Sequence, residues 1–163
     1  MNKIISIIIF CLSLSNCEAQ PDPTVFSEDA LKAVFVNINE EQVTLKTILE
    51  AHKGKIIVID VWASWCKDCI LGLPNLKVLQ EDYQDVVYLF LSMDKTQKRW
   101  KKSIKKYAVV GDHYFMPSGW KGAFSDFIDL DWVPRYMVID GTGNITLFRA
   151  ITANDPNIRL HLN

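Results

Sequence analysis

The stretch Ile56-Ile57-Val58-Ile59-Asp60-Val61-Trp62-Ala63-Ser64-Trp65-Cys66-Lys67-Asp68-Cys69 constrains this chain more than any other. Its nearly unbroken β-branched run predicts a strand covered on both faces. Beyond it, Leu73, Leu76, Leu79 and Tyr83 recur at helical spacing over polar Asn75, Lys77, Gln80 and Glu81, which predicts a helix. Pro74 has no N–H to give and predicts a kink that frees the carbonyl one turn earlier. Two cysteines three apart on a helix share one side and can close a small disulfide ring without backbone movement. Cys66 falls where unpaired helix N–H groups and the positive end of the helix dipole favour a thiolate, the attacking species in disulfide exchange. Cys69, one turn deeper, is placed to resolve the mixed disulfide that such an attack creates.

Bulk properties narrow the alternatives. The 163 residues supply one domain, and 49% hydrophobic content can fill a sizeable core. A net charge of −1 with interspersed signs gives no footprint for nucleic acid. Lys95, Lys98, Arg99, Lys101, Lys102, Lys105 and Lys106 form a basic run between Trp100, Ile104 and Tyr107, read as the solvated face of a helix. Of the four cysteines, Cys11 and Cys17 lie in an apolar N-terminal leader, so the folded domain holds only the Cys66/Cys69 pair. A zinc half-site would need two more ligands, and His52, His113 and His161 are scattered singly. Ile70 stands where haem attachment requires His. No metal or other cofactor is called for.

The segment from Asp60 through Cys69, followed by Leu73-Pro74-Asn75-Leu76, resembles the TlpA/ResA-like branch of the thioredoxin superfamily, the exported thiol-disulfide oxidoreductases. So does Trp132-Val133-Pro134-Arg135-Tyr136-Met137-Val138-Ile139-Asp140-Gly141-Thr142-Gly143-Asn144-Ile145, at the family's relative position. The similarity runs from about residue 34 to the C-terminus. It implies a thioredoxin-like α/β fold: a central mixed β-sheet, helices on both faces and an N-terminal β-hairpin extension. It also implies that Pro134 is cis and lies against the cysteines, leaving the Val133 backbone to pair with a substrate strand. An ordinary trans proline opening an edge strand is the bland reading of Pro134.

Along the chain, Met1-Asn2-Lys3 and the apolar residues 4–14 read as a secretory signal too short to span a bilayer. It is expected to end at residue 19, or before Cys17 if Leu14-Ser15-Asn16-Cys17 acts as a lipobox. Residues 20–30 read as a linker and 31–163 as the thioredoxin-like domain. Within it, 34–38 and 42–45 predict an antiparallel pair, 47–53 a short helix, 86–92 a second buried strand in a βαβ unit, and 95–107 the basic helix. Residues 111–131 are the least legible; Trp120, Phe124, Phe127 and Ile128 could share one short helical face. Residues 136–139 and 144–148 predict a hairpin, and Asn154-Asp155-Pro156 opens a last helix.

Asp60, six residues before Cys66 in an apolar strand, is a candidate buried acid that could accept the proton of Cys69; a solvated Asp at a ragged strand end is the alternative. The resembled thioredoxins pair that acid with a lysine on the neighbouring strand, and residues 86–92 contain none. Trp65 is a candidate for shielding the thiolate and touching partners, while Trp62 reads as core. Lys67 and Asp68 pull the Cys66 thiol in opposite directions. Gly72 stands where many relatives have a glutamate, and Ile70 and Leu71 add apolar surface that either binds partners or packs under a loop. The reading is dithiol–disulfide exchange with client proteins in the cell envelope, as a reductant supplied by a membrane-bound thiol donor, with a cytochrome c maturation-type role implied by the family. The membrane would enter only through a lipid anchor at Cys17, in the case that the lipobox rather than ordinary signal cleavage operates. The alternatives are a thiol peroxidase, although Ala63 occupies the place its threonine would need, and a non-catalytic binding module using residues 111–131.

Overall fold

A computed structural model describes residues 21–162, so the leader, Cys11 and Cys17 lie outside the described residues. The elements in order are α1 (Glu28–Leu31), β1 (Val34–Asn37), β2 (Gln42–Thr44), α2 (Leu45–Ala51), β3 (Ile57–Trp62), α3 (Lys67–Asp82), β4 (Val87–Ser92), α4 (Gln97–Tyr107), β5 (Asp112–Phe115), α5 (Ala123–Phe127), β6 (Arg135–Ile139), β7 (Ile145–Ala150) and α6 (Pro156–Leu160). The strands form one mixed sheet in the order β2-β1-β5-β4-β3-β6-β7. β3 pairs parallel with β4 and antiparallel with β6, and every residue from Ile57 to Trp62 is buried. This is the burial that a strand with neighbours and helices on all sides requires.

Strand alternation sorts the side chains between two layers. Cross-strand partners His113, Phe90, Asp60 and Tyr136 make a row on one face. Helix α3 covers that face: the Tyr88 hydroxyl, two residues before Phe90, donates to the Leu79 carbonyl of α3 at 2.9 Å. Leu76 and Leu79 are the buried apolar stripe of α3, while Leu71 is exposed and Ile70 only partly covered. The helix runs unbroken through Pro74. On α4, Trp100 packs near Phe115 with ring centroids 5.9 Å apart. Trp100 and Ser103 are its buried side, which leaves the basic run facing outward, with Lys101 paired to Glu40 at 2.7 Å. On the opposite face of the sheet, Phe35 meets Phe124 of α5 edge-on at 5.5 Å.

Two expectations need correction. Residues 111–131 contain a strand, β5, which sits inside the sheet between β1 and β4 and joins the N-terminal hairpin to the rest. Its DHYF sequence is short and half-exposed, so it shows no apolar run. Gly111 lets it approach: φ is +141°, and a Cβ there would lie 2.7 Å from the Phe90 ring. The supposed single apolar face of the segment is divided, since Phe124 and Ile128 are buried whereas Trp120 is 45% exposed ahead of α5.

The second correction concerns the linker 20–30, whose latter half belongs to the domain. The Ile145 N–H donates to the Thr24 carbonyl at 2.7 Å. Phe26 and Ala30 sit in the core, and Phe26 lies 5.3 Å from Phe127. Ser27 caps α1 by accepting the Ala30 N–H at 3.1 Å. Polarity and two prolines hid this segment, because one aromatic anchor carries the packing. Phe26→Ala is therefore expected to lower unfolding free energy by about 3 kcal/mol in urea; a change within error would return residues 20–30 to linker status.

Candidate active site

The turn from β3 into α3 is held from below. Asp94, 3% exposed, accepts the Ser64 backbone N–H at 3.2 Å, the Ser64 hydroxyl, and the Ser92 hydroxyl at 2.9 Å. This carboxylate just past the end of β4 fixes the residue two before Cys66, and charge-assisted hydrogen bonds of this kind are among the stronger ones. Cys66 is the N-cap of α3: its sulfur accepts the Cys69 N–H at 3.0 Å. Cys66 and Cys69 are joined as a disulfide, with Cα atoms 5.3 Å apart. Both are largely covered, Cys66 at 6% exposure and Cys69 at 2%, while Trp65 beside them is 48% exposed.

Across from the disulfide, the Val133–Pro134 peptide bond is cis, and the Val133 carbonyl oxygen lies 3.4 Å from the Cys66 sulfur. A disulfide sulfur has no proton, so this is a packing contact in the oxidised protein; a Cys66 thiol could donate to the same oxygen. Val133 and Pro134 are both buried. Arg135, fully buried, anchors the approach to them: its guanidinium donates to the Ile128 carbonyl and to the Asp131 carboxylate, each at 2.6 Å. Arg149 secures Asp129 in the same loop at 2.8 Å.

Asp60 is 3% exposed, and its Oδ1 has no hydrogen-bond partner. Its cross-strand partner Tyr136 acts on it as a hydrogen-bond donor. Burial raises the Asp60 carboxyl to about 8, and the Tyr136 hydroxyl opposes that shift only in part. Tyr136 is itself pushed well above its ordinary value, first by burial and then by the neighbouring carboxylate. A Cβ on Gly72, three residues past Cys69, would stand 3.6 Å from the Tyr136 hydroxyl. The Asp60–Tyr136 pair thus lies beneath the first turns of α3, on the sheet face that the second cysteine's helix covers.

The structure brings Cys66, Cys69, Trp65, Val133 and Pro134 together at one end of β3, with Asp60 in the sheet below. Sequence reading missed Tyr136, Asp94, Arg135, Trp120 and Trp132. Tyr136 had a signal available: once β3 and β6 pair antiparallel, it stands opposite Asp60 where a lysine was sought on β4. Among the described residues, no three His, Cys, Asp or Glu side chains cluster to hold a metal, and no helix is long and apolar enough to cross a membrane.

Comparison with known proteins fits this geometry. The family model for thioredoxin-like proteins matches residues 54–145, from just before β3 to the start of β7. A solution structure from Bacteroides vulgatus, assigned as a thiol-disulfide oxidoreductase, superposes with a TM-score of 0.66 at 30% identity, covering 91% of this chain and 89% of that one. The thioredoxin-like protein YneN of Bacillus subtilis is 36% identical over 69 residues, 40% of this chain and 41% of that protein. The thiol:disulfide interchange protein HelX of Rhodobacter capsulatus is 29% identical over 107 residues, covering 61% of this chain and 54% of HelX. The chain spans about half the length of such curated relatives or less. With the family matched across β3, both cysteines and Pro134, and a 30% identical structure shared almost end to end, this chain belongs to the thioredoxin-like family.

Proposed function

We propose that the chain exchanges the Cys66–Cys69 dithiol and disulfide with client proteins in the cell envelope, as a reductant recharged by a membrane-bound dithiol donor. The observation that carries this reading is the disulfide at the N-terminus of α3, packed against the Val133 carbonyl at the end of a strand that carries a buried acid. The apolar leader read at residues 1–19 supports export, and the family resemblance supports the reducing direction; a cytochrome c maturation-type role rests on the same resemblance.

In the reduced protein the Cys69 N–H and the helix dipole favour a thiolate at Cys66. That thiolate attacks a client disulfide, forms a Cys66–client disulfide and expels one client thiolate. Cys69 then gives up its proton and attacks the Cys66 sulfur. The intramolecular disulfide closes, the second client thiolate leaves, and two electrons have passed to the client. Asp60 is the candidate to take the Cys69 proton: burial raises its carboxyl to about 8, and the fraction ionised near neutral pH is the form that accepts. Trp65 and the Val133–Pro134 backbone border the attacking sulfur and would hold the client segment.

Cys66→Ser is expected to abolish dithiothreitol-driven insulin reduction, while Cys69→Ser should accumulate mixed disulfides with clients that a thiol reductant releases. Insulin reduction that survives Cys66→Ser would contradict the proposal.

The state of Asp60 gives a second expectation. An unfolded chain loses this proton near the ordinary value of 3.8, and the folded chain holds it to about 8. Between those values the folded state binds the extra proton, so stability falls as pH rises from about 4 to about 8 and is level above that. Asp60→Asn should therefore be more stable than the wild type by a few kcal/mol at pH 9, and by much less at pH 4, in urea unfolding of the oxidised proteins. The same variant should slow resolution at pH 7 by about tenfold or more while leaving the first attack nearly unchanged. Parallel pH profiles for both proteins would reduce Asp60 to a structural residue.

A further inference from the structure

Three of the five tryptophans are left in water, and all three meet at one place. Trp62 and Trp100 are buried, whereas Trp65, Trp120 and Trp132 are 48%, 45% and 57% exposed. Single exposed apolar residues need no explanation, but a convergent group of the largest ones marks a contact surface. The three come from separate segments: the turn before α3, the loop before α5, and the residue before Val133. They wall a hollow of about 380 Å³ whose lining also includes Cys66, Lys67, Asp68 and Val133.

The hollow is held in shape by its surroundings. The Trp65 and Trp120 rings lie 6.3 Å apart, tilted at 44°. Gly119, at φ +57°, turns the chain to present Trp120, and the Ser125 hydroxyl holds that turn by donating to the Gly119 carbonyl at 2.7 Å. Trp132 is positioned by the residues on either side, Asp131 through its ion pair with Arg135 and Val133 through its packing on Cys66.

We propose that Trp65, Trp120 and Trp132 form a receptor for one large apolar or aromatic side chain adjacent to the client cysteine, so that the protein prefers disulfides with such neighbours. The inference rests on the exchange reading above and deepens it by naming the substrate class. Cys66 is part of the wall, so a client cysteine bonded to its sulfur brings a neighbouring client residue to the mouth of this hollow. Its volume lies at the low end for ligand sites, suited to a side chain and its backbone rather than to a cofactor. Lys67 and Asp68 contribute opposite charges, which gives the wall no net attraction for an ion and leaves apolar contact with the indoles as the main gain. The chemistry is that of the exchange itself: Cys66–S–S–client forms, the client S–S bond breaks, and the departing client cysteine leaves as a thiolate.

The test compares two peptides that share one intramolecular disulfide and differ only in having Phe or Ser next to the first cysteine. Second-order rate constants are measured with the reduced protein, and each variant is judged by its own Phe-to-Ser ratio. Wild type should favour the Phe peptide by about tenfold, the order expected for burying one large side chain. Trp120→Ser and Trp132→Ser should each reduce the ratio to about twofold or less, and Trp120→Phe should restore most of it. Equal rates in the wild type, or a preference that survives both Ser substitutions, would overturn the receptor while leaving exchange intact. Failure of the wild type to reduce either peptide would instead overturn the exchange reading, and this inference with it.

Discussion

Everything at the site depends on the burial of β3. Five apolar side chains of this strand, Ile57, Val58, Ile59, Val61 and Trp62, are 0–3% exposed. At about 2 kcal/mol each they contribute roughly 10 kcal/mol as an upper estimate. That margin lets the same strand carry an acid. Desolvating a charged Asp60 would cost several kcal/mol, and the protein avoids most of this by keeping the group protonated, with the Tyr136 hydroxyl as partner. The strand thus fixes two things at once: where the cysteines emerge, and the chemical state of the acid beneath them.

The reactive end is then immobilised from three directions, none of which involves the sulfurs. Asp94 holds Ser64 from β4, Arg135 holds residues 128–131 ahead of the cis bond, and Tyr136 engages Asp60 from β6. All three anchors are buried, so each works in a medium where hydrogen bonds are strong and an unpaired group is expensive. The outer parts, the indoles of Trp65, Trp120 and Trp132, remain exposed. A rigid base and an open apolar rim suit a site that must position one sulfur while accepting different polypeptides.

Much of this could be read from the residues, and the reasons for the gaps are physical. β3 and β4 announce themselves because both faces are buried and apolar residues run almost unbroken, with Asp60 the one charged residue among them. The cysteine pair is legible because its spacing alone places both residues on one side of a helix. β5 was hidden because four residues of mixed polarity carry no period, and its place in the sheet comes from pairing with β1 and β4. Tyr136, Asp94 and Arg135 escaped notice because their roles depend on register and tertiary contact: a tyrosine becomes the partner of Asp60 only once β6 lies against β3. Trp120 reads as part of one short helical face with Phe124, Phe127 and Ile128, whereas the Gly119 turn leaves it exposed ahead of α5. Phe26 reads as linker because a single residue carries the packing.

The central claim is that Cys66 attacks and Cys69 resolves, although both sulfurs are nearly covered in the disulfide form. The most direct measurement is alkylation of the fully reduced protein with substoichiometric iodoacetamide near neutral pH, followed by mass mapping of the label. The account predicts label on Cys66, the residue that caps α3 and lines the tryptophan hollow, with Cys69 labelled only after denaturation. Label found first on Cys69, or shared equally between the two, would contradict it.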